Sequence, residues 1–130
     1  MAAVSSARSA AKKLFIPYPK LDKGEIWIGP AFVKGKPSHN VIVLPDEKRM
    51  PWGDYEAWAK KQGGRVITRA EQRLAIANAP QAFKPERYWS GEQDADDPHW
   101  AWSQWFYHGY QIYSPKDDEL LVRAVRSDPI

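Results

Sequence analysis

Residues 88–113 read YWSGEQDADDPHWAWSQWFYHGYQIY, and the placement of these rings decides the fold. Seven tryptophans occur in the 130 residues, and Trp89, Trp100, Trp102 and Trp105 all fall in this stretch. Some must fill a core, because indole carries the largest apolar area of any side chain. Others suit an exposed surface, because flat rings with a polar edge bind partners at low entropic cost. Tyr88-Trp89-Ser90 reads as one strand and Trp100–Tyr107 as a second, with Gln111–Tyr113 continuing past a His108-Gly109 turn. Trp100, Trp102, Gln104 and Phe106 alternate with Ala101, Ser103, Trp105 and Tyr107, so both sides of that strand carry rings.

Downstream, Leu120–Arg126 alternates as a closing strand. Arg123 shares a side with Val125 and is expected as a structural ion pair, partly buried against Glu71 or Glu92. Upstream, Thr68-Arg69-Ala70-Glu71 is a capping box, opening a helix that runs to about Asn78 and buries Leu74 and Ala75 before Pro80 ends it. An earlier helix puts Trp52, Tyr55 and Ala59 on one face, with Glu56, Lys60 and Lys61 opposite. Gly63-Gly64 stops it, since a helix C-terminus favours a residue tolerant of positive φ. Val66-Ile67 is a short extended piece. EIWIGPAFV and HNVIVLP, joined by Gly35-Lys36-Pro37-Ser38, read as a hairpin in which Pro30 must lie at an edge or a bulge. Hairpin, two short helices, then several strands make an α+β chain.

Composition bounds the chemistry. The chain is long enough to bury a real core without staples. Cysteine is absent, which removes disulfides, thiol nucleophiles and thiolate metal sites. No run of about 18 apolar residues suggests a membrane span. A net charge of +3 from 19 basic and 16 acidic residues is too mixed to imply nucleic-acid binding. His39, His99 and His108 are scattered, no Ser sits in a Gly-x-Ser-x-Gly elbow, and no glycine-rich phosphate loop occurs. Glu92, Asp94, Asp96 and Asp97, closed by His99, lack the spacing and central glycine of a calcium loop and read as solvated, as do Asp117, Asp118 and Glu119. Neither a metal nor a cofactor is expected. Residues 1–13, MAAVSSARSAAKK, are small, Ser-rich and basic, and read as a flexible terminal arm ahead of one domain spanning 14–130.

The runs GGRVITRAEQ (63–72), YWSGEQ (88–93), AWSQWFYHGYQ (101–111) and VRAVR (122–126) together resemble the Lcl C-terminal domain family. That family has a C-type-lectin-like fold, is abundant in tailed phages and prophages, and is largely unassigned in function. Its usual pattern has Leu-Pro where this chain has Val66-Ile67, and Ser-Ser where this chain has Ser90-Gly91. The resemblance covers residues 24 to 126 and implies a C-type-lectin-like fold, with the N-terminal hairpin and two helices followed by a twisted antiparallel sheet of the late strands. It also implies that Trp102 is core, with Trp89 and Phe106. Formylglycine-generating enzymes share this fold but rely on cysteines that are missing here. The calcium-and-sugar triplets of true C-type lectins are missing too.

Trp105, Tyr107, Tyr110 and Tyr113 either form an exposed binding face or pack under a loop or in a homo-oligomer interface. In a lectin-like fold the late strands and their loops are the usual recognition surface. The resemblance therefore points to Trp100, Trp105, Tyr107, His108, Tyr110 and Gln111 as the partner-binding residues. The expected function is a non-catalytic, phage- or prophage-encoded binding module that presents an aromatic surface to a protein or glycan. A virion- or tail-associated accessory protein is its most concrete form. The alternative is a small early protein that inhibits a host defence factor by occluding its surface. Either would be found in the bacterial host cytoplasm during expression, and the first also in the virion.

Overall fold

The structure is a computed structural model that describes residues 16–130, so the arm expected at residues 1–13 lies outside the described part. The elements run β1 (Ile26–Val33), β2 (Lys36–Met50), α1 (Trp52–Lys61), α2 (Arg69–Asn78), a 3-10 turn (Pro80–Ala82), β3 (Arg87–Gln93), β4 (Trp100–Trp105), β5 (Gln111–Pro115) and β6 (Leu120–Pro129). The α+β reading holds. All six strands form one sheet in the order β1-β2-β6-β3-β4-β5.

The sheet is mixed, which corrects the antiparallel expectation. After β3 the chain meanders outward through β4 and β5, then returns to fill the gap between β2 and β3. Those two strands point in opposite directions, so any strand between them must be parallel to one. β6 is antiparallel to β2 and parallel to β3, where Tyr88 lies opposite Leu121.

The hairpin turn is tighter than expected. Lys34 and Gly35 take φ of 50° and 77°, the mirror-image turn whose twist matches the flanking strands, and Lys36–Ser38 already belongs to β2. β1 is an edge strand with register shifts between Trp27 and Gly29 and between Ala31 and Phe32, which is how it tolerates Pro30. β2 continues past Pro45 to Met50 because its register with β6 breaks between Val43 and Glu47 and then resumes.

The core gathers Ile28, Val41, Val43, Tyr55, Ala59, Ile67, Trp89, Val122 and Val125. Tyr55 locks α1 to it. Its hydroxyl donates to the Arg123 carbonyl at 2.6 Å and accepts from the Ile67 amide at 3.0 Å, and burial pushes its pKa up. Gly63, with φ of 84°, closes α1. At Gly64 a Cβ would stand 2.6 Å from the Val125 carbonyl oxygen, so only glycine lets Arg65 reach its paired amide–carbonyl exchange with Val125.

The capping box forms as read: the Glu71 amide donates to Thr68 Oγ1 (3.1 Å) and the Thr68 amide to Glu71 Oε1 (2.9 Å). Glu71 is itself buried, with Arg65 donating to both carboxylate oxygens at 2.7 and 2.6 Å. Burial alone would raise its pKa, but the guanidinium and the Thr68 amide outweigh that and hold it below the ordinary range.

Two expectations about side chains fail. Arg123 is buried, but against carbonyls rather than Glu71 or Glu92: it donates to Leu44 O at 3.1 and 2.8 Å and to Ala82 O at 2.8 Å. Glu71 already belongs to Arg65. Trp102 is half-buried and outside the core. Opposite it stands Tyr113 of the edge strand β5, with ring centroids 4.0 Å apart, and Arg69 covers it at 3.5 Å. Trp89 and Phe106 do lie in the core. Both ends of the described chain meet the first third of β2: Asn40 Nδ2 donates to Pro17 O at 3.4 Å, and the Ile130 amide to Ser38 O at 3.1 Å.

Candidate partner-binding face

β4 and β5 are joined by a hairpin whose conformation follows from one inward-turned ring. The Trp105 amide donates to Tyr110 O at 2.9 Å and the Gly109 amide returns to Trp105 O at 2.7 Å, with Gly109 at a φ of 81°. Phe106 plugs into the core. Its ring stacks on Phe83 at 4.1 Å and meets Tyr88 edge-on at 5.2 Å, while its amide donates to Glu86 O at 3.0 Å. Behind the loop, buried Gln104 donates to Tyr110 O at 3.1 Å.

With Phe106 inside, its neighbours must face out. Tyr107 is 69% exposed and Tyr110 45%. His108 stands between them, 4.8 Å from Tyr107, 5.6 Å from Tyr110 and 4.6 Å from Trp105 by ring centroids. The result is a contiguous aromatic tip held by the core beneath it. Such preorganisation lowers the ordering cost of binding.

Arg87 completes one side. It lies directly across from Trp105 in the β3–β4 register, and its guanidinium sits 4.3 Å over the Trp105 ring. Beside this stack opens a cleft of about 340 Å³ lined by Arg49, Pro85, Glu86, Arg87, Trp105 and Leu120. Arg49 and Glu86 pair across it.

Of the six residues expected to bind, the structure thus brings together Trp105, Tyr107, His108 and Tyr110. Gln111 is next in the chain, but its amide is spent within the fold. It accepts from Arg69 Nε and donates to Arg69 O, both at 2.9 Å, tying β5 to the start of α2. Trp100 lies at the far end of β4, opposite Pro115, about 17 Å from Trp105 at the ordinary strand rise. Tyr113 is exposed, but it pairs with Trp102 rather than the tip. Arg87 and Arg49 were not singled out from sequence. The signal was a register: only with Arg87 set opposite Trp105 does the cation meet the ring.

The acidic segment, from Glu92 within β3 to Asp97 beyond it, spends its carboxylates on backbone amides. Asp94 Oδ1 accepts from the Asp96 amide, Asp97 Oδ1 from the His99 amide, and Glu92 from the Arg69 amide at the start of α2. The hydrogen bond from the His99 amide holds the Asp97 carboxyl below its usual range. Among the described residues no group of three or more His, Asp or Glu is placed to hold a metal ion.

A second concavity, about 560 Å³, lies between β1 and α2, with Phe32 and Val33 at its rim and His39, Arg65, Glu71 and Ser127 within. The polar groups there face one another. Arg65 bridges Glu71 and the Ser127 hydroxyl, and His39 Nε2 stands 3.5 Å from Glu71. This cluster holds the end of β6 against α2. No helix among the described residues is long and apolar enough to cross a membrane. Compared with protein-family models and with curated proteins, the chain matches none of them.

Proposed function

We propose that this chain is a non-catalytic binding module of a tailed phage or prophage, built on a C-type-lectin-like scaffold. Its partner, a protein or glycan, is gripped by the aromatic tip formed by Trp105, Tyr107, His108 and Tyr110. One observation carries the reading: with the ring of Phe106 in the core, Tyr107, His108 and Tyr110 stand exposed as a preorganised cluster beside half-buried Trp105. The order of hairpin, two helices and late strands, with β6 beside β2, supports the scaffold assignment. In its most concrete form the module is a virion- or tail-associated accessory protein, made in the bacterial host cytoplasm.

The test compares the parent with a Tyr107→Ser, Tyr110→Ser double variant. Each is immobilised and offered solubilised proteins of purified phage particles, host lysate and a glycan array. The parent should retain a partner that the variant loses, while the two melt within about 2 °C of each other, as exposed substitutions do. Equal retention by both proteins refutes the assignment of the tip. A partner found only in host lysate would move the role from particle accessory to inhibitor of a host factor.

A further inference from the structure

Resting on the reading above, we infer that the partner is a protein presenting an Asp or Glu side chain beside an apolar residue, and that Arg87 reads the carboxylate. The inference begins from how the arginines are spent. Arg49, Arg65 and Arg126 each face a glutamate, Arg123 faces carbonyls, Arg69 lies over Trp102 but is tied to Gln111, and Arg73 projects from α2 with, among the described residues, neither a ring nor a cleft beside it. Arg87 faces a ring. Among the described residues its guanidinium has neither a carboxylate partner nor a hydrogen-bond acceptor, and it lies 4.3 Å over Trp105. Stacking on an indole orients the guanidinium plane while leaving its N–H edges free, which is the geometry a carboxylate fork needs.

The adjoining cleft supplies the rest of the recognition. Its apolar lining is Pro85, Trp105 and Leu120, and its charged lining is two guanidiniums, Arg49 and Arg87, against one carboxylate, Glu86. The surplus is one positive charge beside a greasy floor. An acidic residue flanked by an aliphatic or aromatic side chain complements both features.

Other anions fit less well. A pyranose ring stacks on a bare indole face, whereas Trp105 carries the Arg87 guanidinium and has His108 nearly perpendicular at 4.6 Å. A nucleic-acid strand would bring successive phosphates against Glu86, which lines the same cleft.

The experiment selects a random dodecapeptide display library on the immobilised full chain. Enriched peptides should carry Asp or Glu next to an apolar residue. Their affinity should fall about tenfold or more in Arg87→Gln, as when one partner of a charge pair is truncated. It should recover in part in Arg87→Lys and stay unchanged in Arg73→Gln, an exposed charge-matched control on α2. The inference is overturned if nothing is enriched, if the enriched peptides lack acidic residues, or if Arg87→Gln binds them as the parent does. It is equally overturned if only uronate oligosaccharides or dodecathymidylate bind. The Tyr107→Ser, Tyr110→Ser variant separates the two readings on the same peptides. Loss in the tyrosine variant alone sinks the carboxylate and spares the tip; loss in Arg87→Gln alone does the reverse.

Discussion

Replacing Phe106 by leucine should loosen the aromatic tip well before it unfolds the chain. The substitution removes a stacked contact with Phe83 at 4.1 Å and an edge contact with Tyr88 at 5.2 Å. Each such pair contributes about 0.5–1.5 kcal/mol beyond its buried area. Refitting a smaller, differently shaped side chain adds up to about 1.5 kcal/mol. The total is about 1–4.5 kcal/mol, which for a chain of this length lowers Tm by roughly 4–16 °C. Thermal melting followed by circular dichroism measures that. Backbone 15N relaxation measures the consequence for the tip. Amides of Tyr107, His108 and Gly109 should have order parameters near ~0.85 in the parent and below ~0.6 in Phe106→Leu, the values that separate rigid from flexible backbone. If Tm falls as worked out while those amides stay ordered, the hairpin's own bonds between Trp105, Gly109 and Tyr110 hold the loop. The account of the core ring as its anchor is then wrong.

Three further outcomes follow from the geometry. Tyr55→Phe leaves the Arg123 carbonyl and the Ile67 amide without their buried partner; at about 1–3 kcal/mol for each group left unsatisfied, denaturant melts should show a loss of roughly 2–6 kcal/mol. Glu71 has a folded pKa below its ordinary value, so the stability it lends is complete above the ordinary carboxylate range and disappears as pH falls through the lowered folded value. Glu71→Gln should therefore be less stable than the parent at pH 7 by about 1–3 kcal/mol, since the guanidinium left behind is partly exposed, yet lose less on acidification; parallel acid-titration slopes would contradict the pairing with Arg65. Gly91→Ala would place a Cβ 2.2 Å from Val66 Cγ2 and should destabilise by about 1–3 kcal/mol, with Val66→Ala added in the same chain restoring part of it.

That last pair bears on how far the fold could be read in advance. Val66 and Gly91 sit at the two places where the chain departs from the pattern it resembles, and read singly they look neutral. In space they are coupled, since the valine methyl occupies the volume a side chain at residue 91 would need. Local chemistry was legible because its causes are local: the Thr68–Glu71 box and the stop at Gly63 each depend on residues within a few places. What was missed depends on neighbours far along the chain. The parallel placement of β6, the carbonyl partners of Arg123 and the rim position of Trp102 are set by which strand fills the gap beside β2. The aromatic tip was half legible. Its rings are consecutive in sequence, but the loss of Gln111 to Arg69 and the gain of Arg87 come from α2 and β3.

The meeting of both described ends on the first third of β2 has a practical corollary. Four strand spacings, on the order of 20 Å, separate β2 from β5 at the opposite margin of the sheet, where the Trp105–Tyr110 turn projects. A copy hung from a larger body by either end would carry its tyrosines on the margin away from the tether. If the tip binds as proposed, many copies fixed side by side would offer a carpet of identical grips, and even feeble single attachments would sum to a firm hold.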